Sequence, residues 1–296
     1  MLRRLTAVMA AAAVMQAPAR TEPPPDPVRA AYVASMEGRK ADTLAAVQEL
    51  ATRRPVEQVL AAGGSGWELT PQYSALVRFG LWDELIALLP PERRAPGLVA
   101  GYLYGRGVAL AARGHLAEAR ASLAELEVLS ADARLHRLVT VAAAVVAARI
   151  AASELHHEEA ATRLRQAVAA EDGLPPAGNG AWFFPVRHLL GAELLSAGHA
   201  AEAERAYRED LERNPDNGWS LFGLAAALRA EGRKAEAADA ERRFLAAWGG
   251  ADVRLLTSAF WFPGPDTTQC ECQRTSSADR QSGGELLGAQ HEARVD

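Results

Sequence analysis

The chain has 296 residues, a formal net charge of −5 and 49% hydrophobic residues, of which few are aromatic. Charges of both signs are interspersed and form no basic stripe, which argues against nucleic acid as a partner. Alanine and leucine dominate and runs of β-branched residues are rare, so the composition favours an all-α chain.

The first residues have the form of an export signal, expected over residues 1–19. Arg3 and Arg4 precede an apolar run from 5 to 15, and Ala17-Pro18-Ala19 supplies a small-x-small cleavage pattern. That run is too short to span a bilayer, and no later stretch of about 18 residues is apolar and free of charge, so no membrane span is expected. An alanine-rich disordered leader is the alternative. The proline-rich residues 20–27 follow as a stiff linker. The localisation expected is periplasmic or secreted.

From residue 28 onward the pattern is helical and repetitive. Gly38, Gly80, Gly114, Gly198 and Gly232 each separate two apolar-periodic stretches, as the left-handed residue that closes one helix before the next. Gly80 to Gly114 is 34 residues, and so is Gly198 to Gly232, which is the tetratricopeptide period of one helix-turn-helix per repeat. Seven residues before the turn, Ala31, Gly107, Gly191 and Ala225 supply the small residue needed where two helices cross. Five residues after it, Ala119, Ala203 and Ala237 do the same, whereas Thr43 and Leu85 break the rule. Between Gly114 and Gly198 another hairpin carries Ala148 and Ala160 at the small positions, with Leu155 where glycine belongs. Pro215 is placed to end a repeat. Six hairpins are predicted, at 26–54, 69–90, 98–129, 132–170, 182–213 and 217–249, with the glycine-rich residues 61–66 linking the first two. A lone hairpin buries too little apolar surface to offset its ordering, so such units stack. The sequence EGRKA at 37–41 recurs at 231–235 because both copies are helix-reversing turns.

The segments SMEGRKADTLAA, LVRFGLWDELIALL, GGADVRLLTSAF and, above all, the run from Trp182 to Arg233 resemble the C-terminal half of a group of bacterial tetratricopeptide-repeat proteins. The likeness covers roughly residues 28–275. Members of that group are usually longer, with further repeats ahead of this region. If this chain is a truncated reading frame, the export signal becomes an accident of its start and the location would be cytoplasmic. The resemblance implies an α-solenoid that binds proteins or peptides, and no catalysis.

Motifs that suggest chemistry have simpler readings. GWSLFG at 218–223 is one residue too long for a nucleophile elbow and follows no strand, so Asn217 or Ser220 is expected to hydrogen-bond at a helix start. His156 and His157 are adjacent rather than four apart, and His156 to Glu159 fit a solvated first turn. His115 and His199 follow turn glycines and are expected to be exposed, and GGSG at 63–66 lacks the lysine of a phosphate loop.

Cys270 and Cys272, in a polar tail over 261–296 expected to be disordered, are too few for structural zinc without a third ligand such as His291. The pair could bind a soft metal, form disulfides or be incidental. Counting along the repeats puts Tyr104, His188, Phe222 and Arg229 on the inward-looking helix face, with Trp182 and Phe183 at its lip. These residue types anchor interfaces, and they also fill gaps between repeats. The expected function is a non-catalytic protein- or peptide-binding scaffold without a cofactor. The alternative is an exported binding module with a metal- or thiol-related role through Cys270 and Cys272.

Overall fold

A computed structural model describes residues 26–175 and 182–260 of the chain. Among these there are thirteen α-helices and no strand. The helices pack in consecutive pairs: α1 (Pro27–Met36) with α2 (Lys40–Arg53), α4 (Pro71–Arg78) with α5 (Trp82–Ala87), α6 (Pro96–Ala112) with α7 (Leu116–Val128), α8 (His136–Ser153) with α9 (His157–Asp172), α10 (Arg187–Ser196) with α11 (Ala200–Arg213), and α12 (Gly218–Ala230) with α13 (Lys234–Ala247). The pairs fall on the six predicted hairpins. The region between the first two pairs is more ordered than a linker: α3 (Val56–Ala61) begins after Pro55, and the backbone carbonyl of Ser65 accepts from the Gly97 N–H at 2.8 Å.

Each pair reverses through a residue of positive φ. Gly38, Gly80, Gly114, Gly198 and Gly232 lie between 67° and 83°, and Leu155 adopts 63° at the position where the period calls for glycine. The small residues at the crossings are buried, among them Ala31, Ala119, Ala148, Ala160 and Ala203 with no exposed surface. Leu85 departs from the small pattern and is accommodated because Gly105 of α6 faces its Cδ2 without a side chain. Thr43, which also departs, is fully buried and returns its hydroxyl to the Arg39 carbonyl at 2.8 Å.

Successive pairs stack through apolar contacts and through exposed ion pairs close to the repeat spacing. Arg113 meets Asp83 at 2.7 Å, Arg120 meets Glu154 at 2.7 Å and Arg165 meets Glu202 at 2.7 Å. Such surface pairs contribute little stability, so the apolar contacts carry the stacking. By length and composition α8 could cross a bilayer, yet 56% of it is buried and it packs against α6, α7 and α9 as a core helix.

The first and last pairs meet. The Trp219 indole N–H donates to the Ser35 carbonyl at 2.9 Å, Tyr32 donates to Asn214 Oδ1 at 3.3 Å, and Phe79 packs on Trp219 with ring centroids 6.3 Å apart. The N-terminus of α2 has no cap from its own Arg39; Asp252, more than two hundred residues on, accepts from the Lys40 and Ala41 N–H groups instead. A second hydrophobic cluster, centred on Phe79, Trp219 and Leu255, fills this junction.

Candidate functional site

The residues that join the two ends also surround the face on which the binding residues were expected. After α13 the chain runs without helix or strand from Ala251 to Phe260 and returns across α12 and α10 toward the end of α4. Tyr207 of α11 fixes which side of those helices this strap occupies. Its ring passes between α10 and α12, where a Cβ on either Gly191 or Gly223 would lie well inside van der Waals contact. Its hydroxyl therefore emerges on the face away from α11 and meets Ser258 Oγ. Ser258 also lies 3.5 Å from the His188 carbonyl oxygen. Leu255, Ser258 and Ala259 are buried there, and Phe260 sits edge-on to Trp219 with centroids 5.8 Å apart.

Beneath the strap is a buried polar joint. Arg78 of α4 lies 3.8 Å above the Trp219 ring and 4.9 Å from that of Phe184, a cation between two aromatic faces. It donates to His188 Nδ1 at 2.7 Å. A guanidinium can only donate, so Nδ1 accepts and the imidazole proton sits on Nε2, 3.1 Å from Asp210 Oδ2. Asn217 and Ser220 both donate to that same oxygen at 2.6 Å. Burial holds His188 below the usual imidazole range, with Arg78 acting in the same sense against the pull of Asp210. Burial also lowers Arg78, to about 9, while Asp210 acts the other way. For Asp210 burial would raise the carboxyl, but His188 and the hydrogen bonds from Ser220 and Asn217 outweigh it and hold the group well below its ordinary value.

Serine, histidine and aspartate are thus together, but not in an order that activates a nucleophile. The Ser220 proton goes to Asp210 rather than to histidine, and neither Ser220 nor His188 has exposed surface. The arrangement is a joint between α4 and the helices α10 to α12. Asn217 also performs the helix-start role read from the sequence, its Oδ1 accepting from Trp219 N–H at 3.2 Å.

The six expected binding residues separate into two groups. Tyr104, Trp182, Phe183 and His188 are buried, at 1%, 6%, 8% and 0% exposure. Trp182 stacks on Trp67 with centroids 5.9 Å apart and meets the edge of Tyr104 at 5.1 Å, so the intended lip is interior packing between pairs. Phe222 is half-buried. It contacts Phe244 and, with Leu195, Ala226 and Leu256, lines an open groove of about 180 Å³ beside the strap. Arg229 is exposed and ion-paired with Glu241 at 2.8 Å.

Among the motifs set aside, His156 occupies the N-cap position of α9 without a side-chain cap bond, and Glu158 and Glu159 are exposed in the first turn. His157 departs from the solvated reading, half-buried with its Nδ1 2.7 Å from the buried Glu193 carboxylate. His115 is exposed, and His199 pairs with Glu158. Among the described residues no three histidine, cysteine or acidic groups converge as a metal site. Cys270, Cys272 and His291 lie outside the described residues. Sequence reasoning passed over Arg78, Tyr207, Asp210 and Ser258. Tyr207 and Asp210 left a signal, lying four and seven residues beyond the small Ala203 on the buried stripe of α11.

Among the described residues, the fold and site define an all-helical array of helix pairs whose early and late pairs are tied by a buried polar joint and the strap at 251–260. No family model, curated protein or solved structure matches the chain.

Proposed function

We propose that the protein is a tetratricopeptide-like solenoid acting as a non-catalytic scaffold, and that the face of α10 and α12 turned away from α11 takes a protein partner as an extended peptide. One observation carries this reading: a stretch of non-helical chain, 251–260, already lies on that face and buries Leu255, Ser258 and Ala259 against it. A surface that holds one extended segment through side-chain pockets has the chemistry to hold another. The half-exposed Phe222 and the groove beside it give such a segment its point of entry. Periodic turns and small crossing residues support the solenoid, and the leader pattern supports export to the periplasm or beyond.

A photo-crosslinking residue at Phe222, with one at the exposed Leu245 of α13 as control, tests the proposal in the native source. A discrete protein adduct at Phe222 and none at Leu245 is expected. Equal labelling at both positions, or none at Phe222, overturns it.

A further inference from the structure

The strap differs from the rest of the described chain in how it is held. Residues 251–260 belong to no helix or strand, and the strap follows Gly249 and Gly250, a pair with almost no side-chain contact. Its first residues are tied to their neighbours, Asp252 to the Gly38 carbonyl and the start of α2, and the Val253 carbonyl to the Trp248 indole N–H at 2.9 Å. Residues 255–260 are attached mainly through side chains that use distinct pockets. Leu255 enters the cluster of Phe79 and Trp219. Ser258 meets the Tyr207 hydroxyl in the window between Gly191 and Gly223. Ala259 lines a small cavity with Val77, Phe184 and Leu189, where only a small side chain fits. Phe260 covers Trp219 and approaches Gly80. Leu256, by contrast, is 56% exposed and points to the open groove at Phe222.

This is the order of features by which a receptor reads an extended peptide: an apolar anchor, then after the exposed Leu256 and half-buried Thr257 a hydroxyl, a small residue and an aromatic in succession. Arg78 also lines the Ala259 cavity; it donates to His188 and lies between the two rings, while its buried Nε has no hydrogen-bond partner among the described residues.

We infer that the strap is a displaceable occupant, and that the partner is an extended segment of pattern Leu-x-x-Ser/Thr-small-aromatic that replaces residues 255–260 on the same pockets. The inference rests on the scaffold reading above and names its ligand class. Because the strap is tethered, a free peptide competes against a high local concentration, so binding to the resting chain is weak and rises once the strap is loosened.

The test uses the full chain and a labelled peptide, VRLLTSAF, identical to residues 253–260. In native-state hydrogen exchange the strap amides should exchange about a thousandfold faster than those of α12, because the strap opens without unfolding the helices. Ser258→Asp places a carboxylate in a buried pocket and changes the strap alone. It should leave helicity intact and raise peptide affinity at least about tenfold, while the peptide carrying the same substitution should not bind. Strap amides protected as strongly as α12 overturn the inference, as does a helical Ser258→Asp chain with no gain in affinity. Loss of helicity in that variant overturns it too, for the strap would then be an integral part of the fold. In each of these cases an adduct at Phe222 would leave the scaffold reading standing, whereas absence of the adduct removes both.

Discussion

The two copies of EGRKA have the same backbone and opposite surroundings. Gly38 and Gly232 turn at φ 70° and 76°, and in both copies the N–H of the following arginine bonds back to a carbonyl five residues earlier. Yet a side chain on Gly38 would strike the Trp248 ring, and the Gly38 carbonyl accepts from Asp252 N–H at 3.2 Å, whereas Gly232 has nothing within 4 Å of where a Cβ would sit. Five identical residues therefore set the turn, while position in the array decides what the turn touches. The first copy is part of the closure between the first and last helix pairs. The second is solvated, its Arg233 held by Glu204, Glu231 and Glu236.

The closure breaks most severely at its buried cation. Arg78→Ala removes the donor to His188 and the charge that shares the interior with Asp210, and empties the space between Trp219 and Phe184. A loss of about 3–5 kcal/mol is expected, read as a lower urea midpoint. The junction at Gly38 should be freed with it, so that Trp248 fluorescence changes before the helical signal is lost.

Gly38→Ala comes next and tests the comparison directly. Overpacking against Trp248 and a positive φ together should cost about 3 kcal/mol. Gly232→Ala meets only the backbone term, about 1 kcal/mol. Adding Trp248→Ala should recover part of the Gly38 loss and leave the Gly232 loss unchanged. Equal losses at the two glycines would mean that the ends do not meet in solution.

What could be read from residue order was what each pair does for itself. The turn glycines, the small crossing residues and even the irregular Leu155 turn follow from local geometry, since a tight helix reversal admits few residue types. The closure is invisible at that level because it joins Ser35, Arg78, His188, Trp219 and Asp252 across separations that no period encodes. For the same reason His188, which occupies an inward-looking position by counting, is buried under a strap that counting does not place. The glycines of α6 did leave a mark: Gly97, Gly101 and Gly105 recur every four residues because Ser65, Thr70 and Tyr73 lie against them. That stripe marks close helix contact without saying with what.

The two regions should also answer differently to solvent. Near the closure, burial raises the Glu171 carboxyl to about 7, against the Val186 N–H at 3.0 Å and Arg187, both of which lower it. A raised folded-state value means that protonation favours the fold. Glu171 therefore contributes its full stability below about 4.5, and loses it as pH rises toward 7 and beyond. The residue keeps partial solvent access, so about 1–2 kcal/mol of this dependence is expected. Glu171→Gln should be more stable than the parent at pH 8 and equal to it at pH 4, by urea titration at each pH. The Gly232 turn lacks such a group, and its exposed arginine cluster should respond to salt instead.

The smallest effect separates backbone geometry from docking altogether. Leu155 holds φ 63° with 76% of its surface exposed, so it has the left-handed conformation of the other turns and little packing to lose. A non-glycine residue in this region carries about 1–2 kcal/mol of strain, part of which glycine returns through the greater freedom of the unfolded chain. Leu155→Gly should therefore stabilise the protein by about 0.5–1 kcal/mol, the mirror image of Gly232→Ala. If opposite substitutions at two undocked turns shift the urea midpoint by similar amounts in opposite directions, backbone strain is the common cause, and the excess loss at Gly38 measures the closure. A destabilised Leu155→Gly would mean instead that this leucine makes a contact in solution, and the Gly38 excess would lose its reference.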